Sequence, residues 1–576
     1  MDLSVAKKLE DSRQNIDIEN HFKLVAGPGA GKTTFLINHI KNILANSMRL
    51  SKTKKVACIT YTNVGVETII SRLDNSIDNV EVGTIHHFLY NNIIKPYLWV
   101  LEDEFEFSYK DIDGHDEVIP THSLLDEWMA NTNQKYFLGH DKELIRALTH
   151  LSWEMKEENF ELNFSEFYYG KIGNYNIKSD SLLEYKKTCW KYGAISHDDV
   201  LYLSYRIINK EPKILEVIRA KFPYLLVDEF QDTNPIQTYI MLKIAEKETI
   251  VGVIGDEWQS IFEFQGANIK DFENFNLEGL QVYKLENNHR STQQIIDVLN
   301  DIRNDEYFKQ VSIENRSGDK PYILVGNFFD AYSEASKICK DEKLYTLTFV
   351  NKISNVLKYK FEENNEELPE DLILKLRTFD GERGKLILNI IYSIEYCKQN
   401  KLKEAIKYMK KAYRKVVNFD DRNALQVLHK LISSYDEFLN INIKDFYMNN
   451  IYDLYKNESK IQGGNKAKYY SELSYKRVSV AIKLDNDDNS LYKTIHKSKG
   501  DEFDNVLLVM SQKYDSNRGV NLDFLLNSDR NNEKDRLYYV AFSRAKKRLF
   551  INVPKLDDEL IKQLSRFQVD YANEPD

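Results

Sequence analysis

Cysteine is scarce in this chain of 576 residues: Cys58, Cys189, Cys339 and Cys397 lie far apart, with no CxxC pair. That spacing signals neither a zinc site nor an iron–sulfur cluster, and structural thiols are the better reading. No apolar run approaches the roughly 20 residues that span a bilayer, so no membrane partner is expected. The opening MDLSVAKKLEDSRQ carries no apolar core behind its charges, which argues against a secretory signal and for a cytoplasmic protein. Basic charge is not in excess either, since the net charge is −10. Phosphate contacts need Lys and Arg, so a nucleic-acid partner would have to be gripped by a local basic groove while acidic segments carry the surplus elsewhere. What is present is ordinary for a packed globular protein, 42% hydrophobic and 29% charged. The length suggests about four domains of roughly 150 residues.

Short β-like runs punctuate the chain at FKLVA (22–26), KVACIT (55–60), YLLV (224–227) and IVGVIG (250–255), each followed by turn or polar residues. A second set follows at QVYKL (281–285), LYTLTF (344–349), NVLLVM (505–510) and RLFINV (548–553). This is the rhythm of parallel sheets with crossover helices, and it predicts two α/β domains. The first is expected over 1–88 and 193–275, the second over 276–361 and 481–576. Two charged, helical stretches, 89–192 and 362–480, read as insertions, one in each. Acidic LEDEFEF (101–107) reads as a solvated face rather than a metal site. In the second insertion Leu402, Ala405, Ile406, Met409, Tyr413 and Val416 keep helical spacing, and Lys398 to Lys415 holds eight basic residues against the single acid Glu404. A solvated helix is preferred there to a face that touches duplex phosphates.

Residues 26–33 read AGPGAGKT, a phosphate-binding P-loop with Ala26 in first place, following a strand and opening a helix as that motif requires. In the loop Gly27, Pro28, Gly29, Ala30 and Gly31 the glycines would let backbone N–H groups wrap the phosphates, and Lys32 would reach the β/γ oxygens of ATP. Thr33 would ligate Mg²⁺, and Thr34 completes the nucleotide-binding set. LLVDEFQDTN (225–234) supplies a carboxylate pair at a strand end. Asp228 is suited to the Mg²⁺ shell and Glu229 to orienting and deprotonating the attacking water. A DE pair alone is commonly a solvated loop end; beside a P-loop it is not.

DEFQDTN together with GDEWQSIFEFQGA (255–267) resembles motifs II and III of the superfamily 1 helicases of the UvrD/Rep type. TYTNVGVETIISRL (60–73) is similar to motif Ia and VGTIHHF (82–88) to motif Ib. LENNHRST (285–292) resembles motif IV, with YTLTFVNKISNVLKYKF (345–361) as the strand and helix that follow. TIHKSKGDEFDNVLLV (494–509) resembles motif V and RLYYVAFSRAKKRLFI (536–551) motif VI. The matches run in family order, and the two insertions lie where that family carries accessory subdomains. The resemblance implies an α/β fold of two RecA-like P-loop motor domains with parallel sheets, each carrying a mainly helical insertion. It also implies an ATP-hydrolysing motor moving 3′ to 5′ on single-stranded DNA.

Residue by residue, the resemblance makes Arg290 and Arg544 the arginines that reach the γ-phosphate from the second motor domain. Gln259 becomes the link from the γ-phosphate to the DNA groove, Glu502 a ribose-holding acid and Gln14 the adenine-reading glutamine. His289 stands where the family stacks a tyrosine on adenine. Phe264 takes the place of a base-stacking tryptophan, and Phe262 fits either base stacking or core packing. Thr60, Thr62 and Asn63, Thr84 and His86, and Thr494 and His496 resemble strand contacts, although several fit loop capping equally well. Trp258 has no evident counterpart. Gln265 departs from the pattern, which usually has arginine beside the stacking aromatic.

The expected partners are single-stranded DNA and its junctions with duplex. Other readings are a nucleotide-dependent binding or sensing subunit that unwinds little, and an RNA helicase of the same superfamily, which motifs Ia, Ib and III resemble less. No carboxylate-rich nuclease motif follows Arg544. In its size the chain also resembles the helicase-like subunits of bacterial anti-phage systems such as Gabija, which work beside a separate nuclease partner.

Overall fold

The computed structural model describes residues 3–73, 78–156, 159–164, 170–313, 316–349, 369–414, 416, 419–455, 459–486, 490–510 and 522–572. Two parallel sheets organise it. The first has seven described strands in the order Lys7–Lys8, Gln281–Leu285, Phe22–Ala26, Ile250–Gly255, Tyr224–Val227, Val56–Thr60 and Val80–Thr84. Alternation along each strand divides two apolar layers, as the period of two demands. Phe22, Leu24, Val56, Cys58, Tyr224 and Leu226 pack on one face. Val25, Ala57, Ile59, Leu225 and Val227 pack on the other. Strands covered on both faces read as continuous apolar runs, which is why they were visible in the sequence.

The second sheet has six described strands, ordered Tyr492–Thr494, Leu344–Thr348, Phe503–Val509, Ala545–Val553, Tyr322–Val325 and Gln568–Tyr571. All its pairings are parallel. Gln281–Leu285, read from sequence with the second set, lies in the first sheet, where it pairs with Phe22–Ala26 and Lys7–Lys8. Local pattern identifies a strand but not its neighbour, and this strand joins the first sheet before the chain crosses to the second. Most of 345–361, the strand and helix after motif IV, lies outside the described residues.

Segment 89–192 folds into helices including His122–Asn131, Asp141–Thr149 and Ser181–Lys191, together with antiparallel pairs Leu151–Lys156/Asn159–Phe164 and Lys171–Ile172/Tyr175–Asn176. Its Trp153 and Trp190 share one apolar core with the first sheet. Helices from Pro369–Phe379 to Tyr475–Asn486 enclose a separate core of their own. Within it, the basic helix Leu402–Ala412 buries Ala405 and Met409. Its cations meet acids: Lys410 reaches Asp421 at 2.8 Å, Arg414 reaches Glu382 at 2.9 Å, and Lys411 reaches Asp116 of the first insertion at 2.8 Å. Those pairings favour the solvated-helix reading over a phosphate-binding face. No helix among the described residues is long and apolar enough to cross a membrane.

Candidate functional site

The buried strand Phe22–Ala26 runs into the loop Gly27–Gly31 and then the helix Lys32–Asn46. Gly29 and Gly31 sit at φ 70° and 86°, a left-handed conformation that a side chain disfavours. Lys32 Nζ lies 3.3 Å from the Ala26 carbonyl, back over the loop. Thr33 and Thr34 occupy the first turn of the helix and are half-buried. Gln14 is exposed, its side-chain oxygen accepting the Glu10 N–H at 2.9 Å. Its neighbour Ser12 is closer to the loop: a methyl group on Gly31 would lie 3.0 Å from Ser12 Oγ.

The carboxylate pair stands at the end of Tyr224–Val227, two strands from the loop. The Asp228 N–H donates to the Ile59 carbonyl at 2.8 Å. Burial, and then the charge of Glu229, pushes the Asp228 carboxyl well above the usual range, with Lys32 opposing. Glu229 is half-buried, yet Lys32, Lys499, Gln231 and Arg544 together outweigh its desolvation and hold its carboxyl down. A divalent cation held at Asp228 would offset the burial that disfavours its charge, while Glu229 stays ionised beside it. Thr33, Asp228 and the loop fit Mg²⁺ and a triphosphate. Glu229 also adopts φ 54°, a strained conformation for a non-glycine residue that persists only where its surroundings impose it. Gln231 imposes part of it, donating to Glu229 Oε2 at 2.6 Å while accepting the Asp256 N–H at 3.0 Å.

Arg290 and Arg544 converge from beyond the first sheet. Arg290 donates to the Ser543 carbonyl at 2.8 Å and to Glu502 at 2.6 Å. A methyl group on Gly29 would stand 2.7 Å from Arg290 Cβ, so this arginine borders the phosphate loop. Arg544 is buried against Ser543 Oγ at 2.8 Å, and its charge acts on Glu229. Burial, then Arg290, pushes Arg544 down to about 9, with Glu229, Glu502 and Asp501 opposing. Such a guanidinium has much to gain from a phosphate. Glu502 is shared by Arg290 and, at 3.2 Å, by Lys546. His289 turns an exposed ring outward while its N–H donates to the Gly29 carbonyl at 2.9 Å.

Gln259 occupies the hub of this cleft. It donates to Asp256 at 2.8 Å and lies 3.5 Å from Arg544, and its carbonyl accepts from Lys499 at 2.6 Å. Lys499 also pairs with Asp232 and lies 4.8 Å from the Phe262 ring. Asp256 is anchored in turn by Arg303 at 2.7 Å, both side chains being almost fully buried. Breaking that pair strands a charge in the interior. Arg303→Ala is therefore expected to cost about 3–5 kcal/mol, read as an earlier loss of the motif III tryptophan signal from Trp258 in denaturant titration.

Phe262 stacks on Tyr61 with ring centres 4.9 Å apart and planes 24° from parallel, so packing describes it better than an open base platform. Phe264 is 56% exposed, with its ring 6.0 Å from that of Phe262 and meeting His496 edge-on at 5.2 Å. Tyr61 donates from its hydroxyl to Gln265 at 2.6 Å. Thr62, Thr84 and Thr494 accept the N–H groups of Gly65, His87 and Lys497 at 3.1, 3.3 and 3.3 Å. These three are turn caps as they stand. Thr60 is buried at its strand end and Asn63 is exposed at a helix start. His86 faces His197 and His115 across 5.5 and 6.4 Å, and burial followed by those two rings pushes it down to about 3. Trp258 packs in the core against the second sheet, 5.4 Å from Tyr539. Lys499, Tyr61 and Gln231 were not singled out from the sequence, although each lies within a quoted motif.

Two parallel sheets that bring a phosphate loop, a carboxylate pair and two arginines to one cleft define a P-loop motor core with RecA-like domains. The chain belongs to the UvrD/Rep helicase family, ATP-hydrolysing enzymes. The family's UvrD/REP helicase N-terminal domain matches residues 9–278, and the UvrD-like helicase C-terminal domain matches 340–555. Among curated relatives, the Gabija protein GajB of Bacillus cereus (strain HuB5-5) is 25% identical over 649 aligned positions, covering 91% of each chain. The ATP-dependent DNA helicase PcrA of Bacillus subtilis is 25% identical over 69% of this chain and 51% of its own length. The ATP-dependent DNA helicase Rep of Buchnera aphidicola subsp. Schizaphis graminum is 24% identical over 92% of this chain and 90% of its own.

Proposed function

We propose that the protein is an ATP-driven motor moving 3′ to 5′ on single-stranded DNA, and that it works with a nuclease partner in DNA repair or anti-phage defence. The observation that carries the motor reading is the meeting of Arg290 and Arg544 with the phosphate loop and Glu229 in one cleft. Lys32 would bind the β/γ oxygens, and Thr33 and Asp228 would hold Mg²⁺, which would neutralise charge on the phosphates. Glu229 takes the proton of the attacking water, and the two arginines stabilise the charge that develops on the departing phosphoryl group. Gln259 then passes the state of that site to Lys499, Phe262 and Tyr61, and so to the exposed Phe264 that stacks on a base. The family resemblance supplies the polarity; similarity along nine-tenths of a Gabija protein supports the partner and the defence role. Strand displacement on duplexes carrying either a 3′ or a 5′ tail tests this directly. Preference for the 3′ tail is expected, and equal use of both tails, or of the 5′ tail alone, would refute it.

One observation favours a second reading, a nucleotide-dependent sensing subunit that hydrolyses ATP but unwinds little. Gln265 carries no charge and its side-chain oxygen is occupied by Tyr61, so the strand loses a charge-assisted contact of about twice the strength of a neutral one. Gln265→Arg is expected to raise base pairs opened per ATP. It should also steepen the salt dependence of DNA binding by about one phosphate contact. Unwinding by the natural protein that already matches the variant would make the glutamine neutral and remove this reading.

A further inference from the structure

The phosphate loop is held from outside by side chains that no motif role covers. The Pro28 carbonyl accepts two side-chain amides at once, Asn288 Nδ2 at 3.0 Å and Gln310 Nε2 at 2.9 Å. The Gly29 carbonyl accepts the His289 N–H at 2.9 Å. Asn288 and Gln310 are each only 1% exposed, and both sit beside the short parallel pairing of Asn287–Asn288 with Val311–Ser312. Gln310 is itself pinned: its N–H donates to Asn300 Oδ1 and its carbonyl accepts from Asn300 Nδ2, both at 2.9 Å. Its own Oε1 is buried with no partner. An orphaned buried acceptor costs stability, so the amide has to be explained by what its donor does.

A trans peptide points its N–H opposite to its carbonyl. Holding the Pro28 oxygen outward therefore fixes the Gly29 N–H on the inner side of the loop, where phosphate oxygens need donors; a flipped peptide would present a carbonyl instead. The loop glycines match this clamp. A methyl group on Gly27 would meet Gln310 Cδ at 2.5 Å, Nε2 at 2.6 Å and Oε1 at 2.9 Å. One on Gly29 would meet Asn288 Oδ1 at 2.8 Å. Asn288 does more than Gln310, because its Oδ1 accepts the N–H groups of Arg290 at 2.8 Å and Ser291 at 3.0 Å. One side chain thus ties the loop to the backbone that carries Arg290.

Resting on the phosphate-site reading above, we propose that Gln310 and Asn288 are positioning residues that hold the phosphate loop in its nucleotide-ready shape. Asn288 sets the loop and Arg290 in register. Preorganisation of this kind appears as nucleotide affinity when only the loop is loosened, and as turnover when the arginine is loosened too.

The test is a double-mutant cycle on the full chain with ATP and single-stranded DNA, following KM, kcat and the affinity for a fluorescent ATP analogue. Gln310→Ala is expected to raise KM roughly three- to tenfold, the worth of one net hydrogen bond, with kcat at saturating ATP within about twofold. Asn288→Ala should raise KM and also lower kcat. Gly27→Ala should displace Gln310 and raise KM by a similar factor. Adding Gln310→Ala to it should then cost little more, because the methyl group fills space that the amide has left. Melting temperatures exclude simple unfolding. Strictly additive losses in the Gly27/Gln310 pair, or an unchanged KM in Gln310→Ala, would overturn the clamp. Lys32→Ala run in parallel separates the two claims. If it still hydrolyses ATP, the phosphate-site reading itself has failed; if it is dead while Gln310→Ala is normal, only the clamp has.

Discussion

Lys32→Ala and Glu229→Gln should each abolish ATP turnover while leaving the protein folded. Lys32 is half-buried and hydrogen-bonds to the Ala26 carbonyl at 3.3 Å, so its loss opens no apolar cavity. What disappears is the cation that meets the β/γ oxygens and opposes the charges of Asp228 and Glu229. Glu229→Gln keeps the shape and the left-handed backbone but cannot accept a proton from water. Gln231 would then face an amide instead of a carboxylate, a change the loop can absorb by rotating that amide. The glutamine variant should still bind ATP, whereas the alanine variant should bind it weakly. DNA-stimulated hydrolysis retained by either variant, with melting unchanged, would remove the active-site assignment.

The second large effect is expected at the arginines. Arg290→Ala and Arg544→Ala should each lower kcat by about 10³–10⁵, the range of arginine fingers in phosphoryl transfer, with much smaller changes in nucleotide affinity, since the charge they meet develops in the transition state. The two should differ in side effects. Arg544 is buried, and its removal takes a donor from Gln259 Oε1 and Ser543 Oγ, so a fall in melting temperature should accompany it. Arg290 pairs with the half-exposed Glu502, and its loss should be thermally milder. Single-turnover hydrolysis with prebound ATP separates the chemical step from binding. Normal single-turnover rates in Arg290→Ala would exclude it from the reaction.

The frame of the molecule was legible where the physics is local. Strands 22–26, 224–227 and 250–255 show as apolar runs because both faces of a parallel sheet are covered, and the P-loop shows because its glycines, lysine and threonine sit between a strand and a helix. Sheet membership was not legible: Gln281–Leu285 has the same look whichever sheet receives it. Lys7–Lys8 and Tyr492–Thr494 are edge strands with no apolar run to betray them. Within the site, contiguous motifs placed Asp228, Glu229 and the arginines, but pairings made across hundreds of residues escaped. Tyr61 on Phe262, Lys499 on Asp232 and Gln310 on Pro28 leave no trace in spacing. Hydroxyl residues were ambiguous for a different reason: Thr62, Thr84 and Thr494 present the same oxygen to a turn N–H as to a DNA phosphate. The basic helix reads as solvated, but the acids that meet its cations, Asp421, Glu382 and Asp116 of the other insertion, leave no trace in spacing.

ATP turnover measured with and without single-stranded DNA bears most directly on the motor. In the proposed motor a path from Gln259 through Lys499, Phe262 and Tyr61 to Phe264 would couple the phosphate site to the strand, so single strands should raise kcat many-fold, and Phe264→Ala should diminish that stimulation while sparing the basal rate. Blunt duplex should stimulate little. Turnover that is the same with and without DNA, in a protein whose Lys32→Ala variant is inactive, would leave an ATPase and contradict a motor driven along single-stranded DNA.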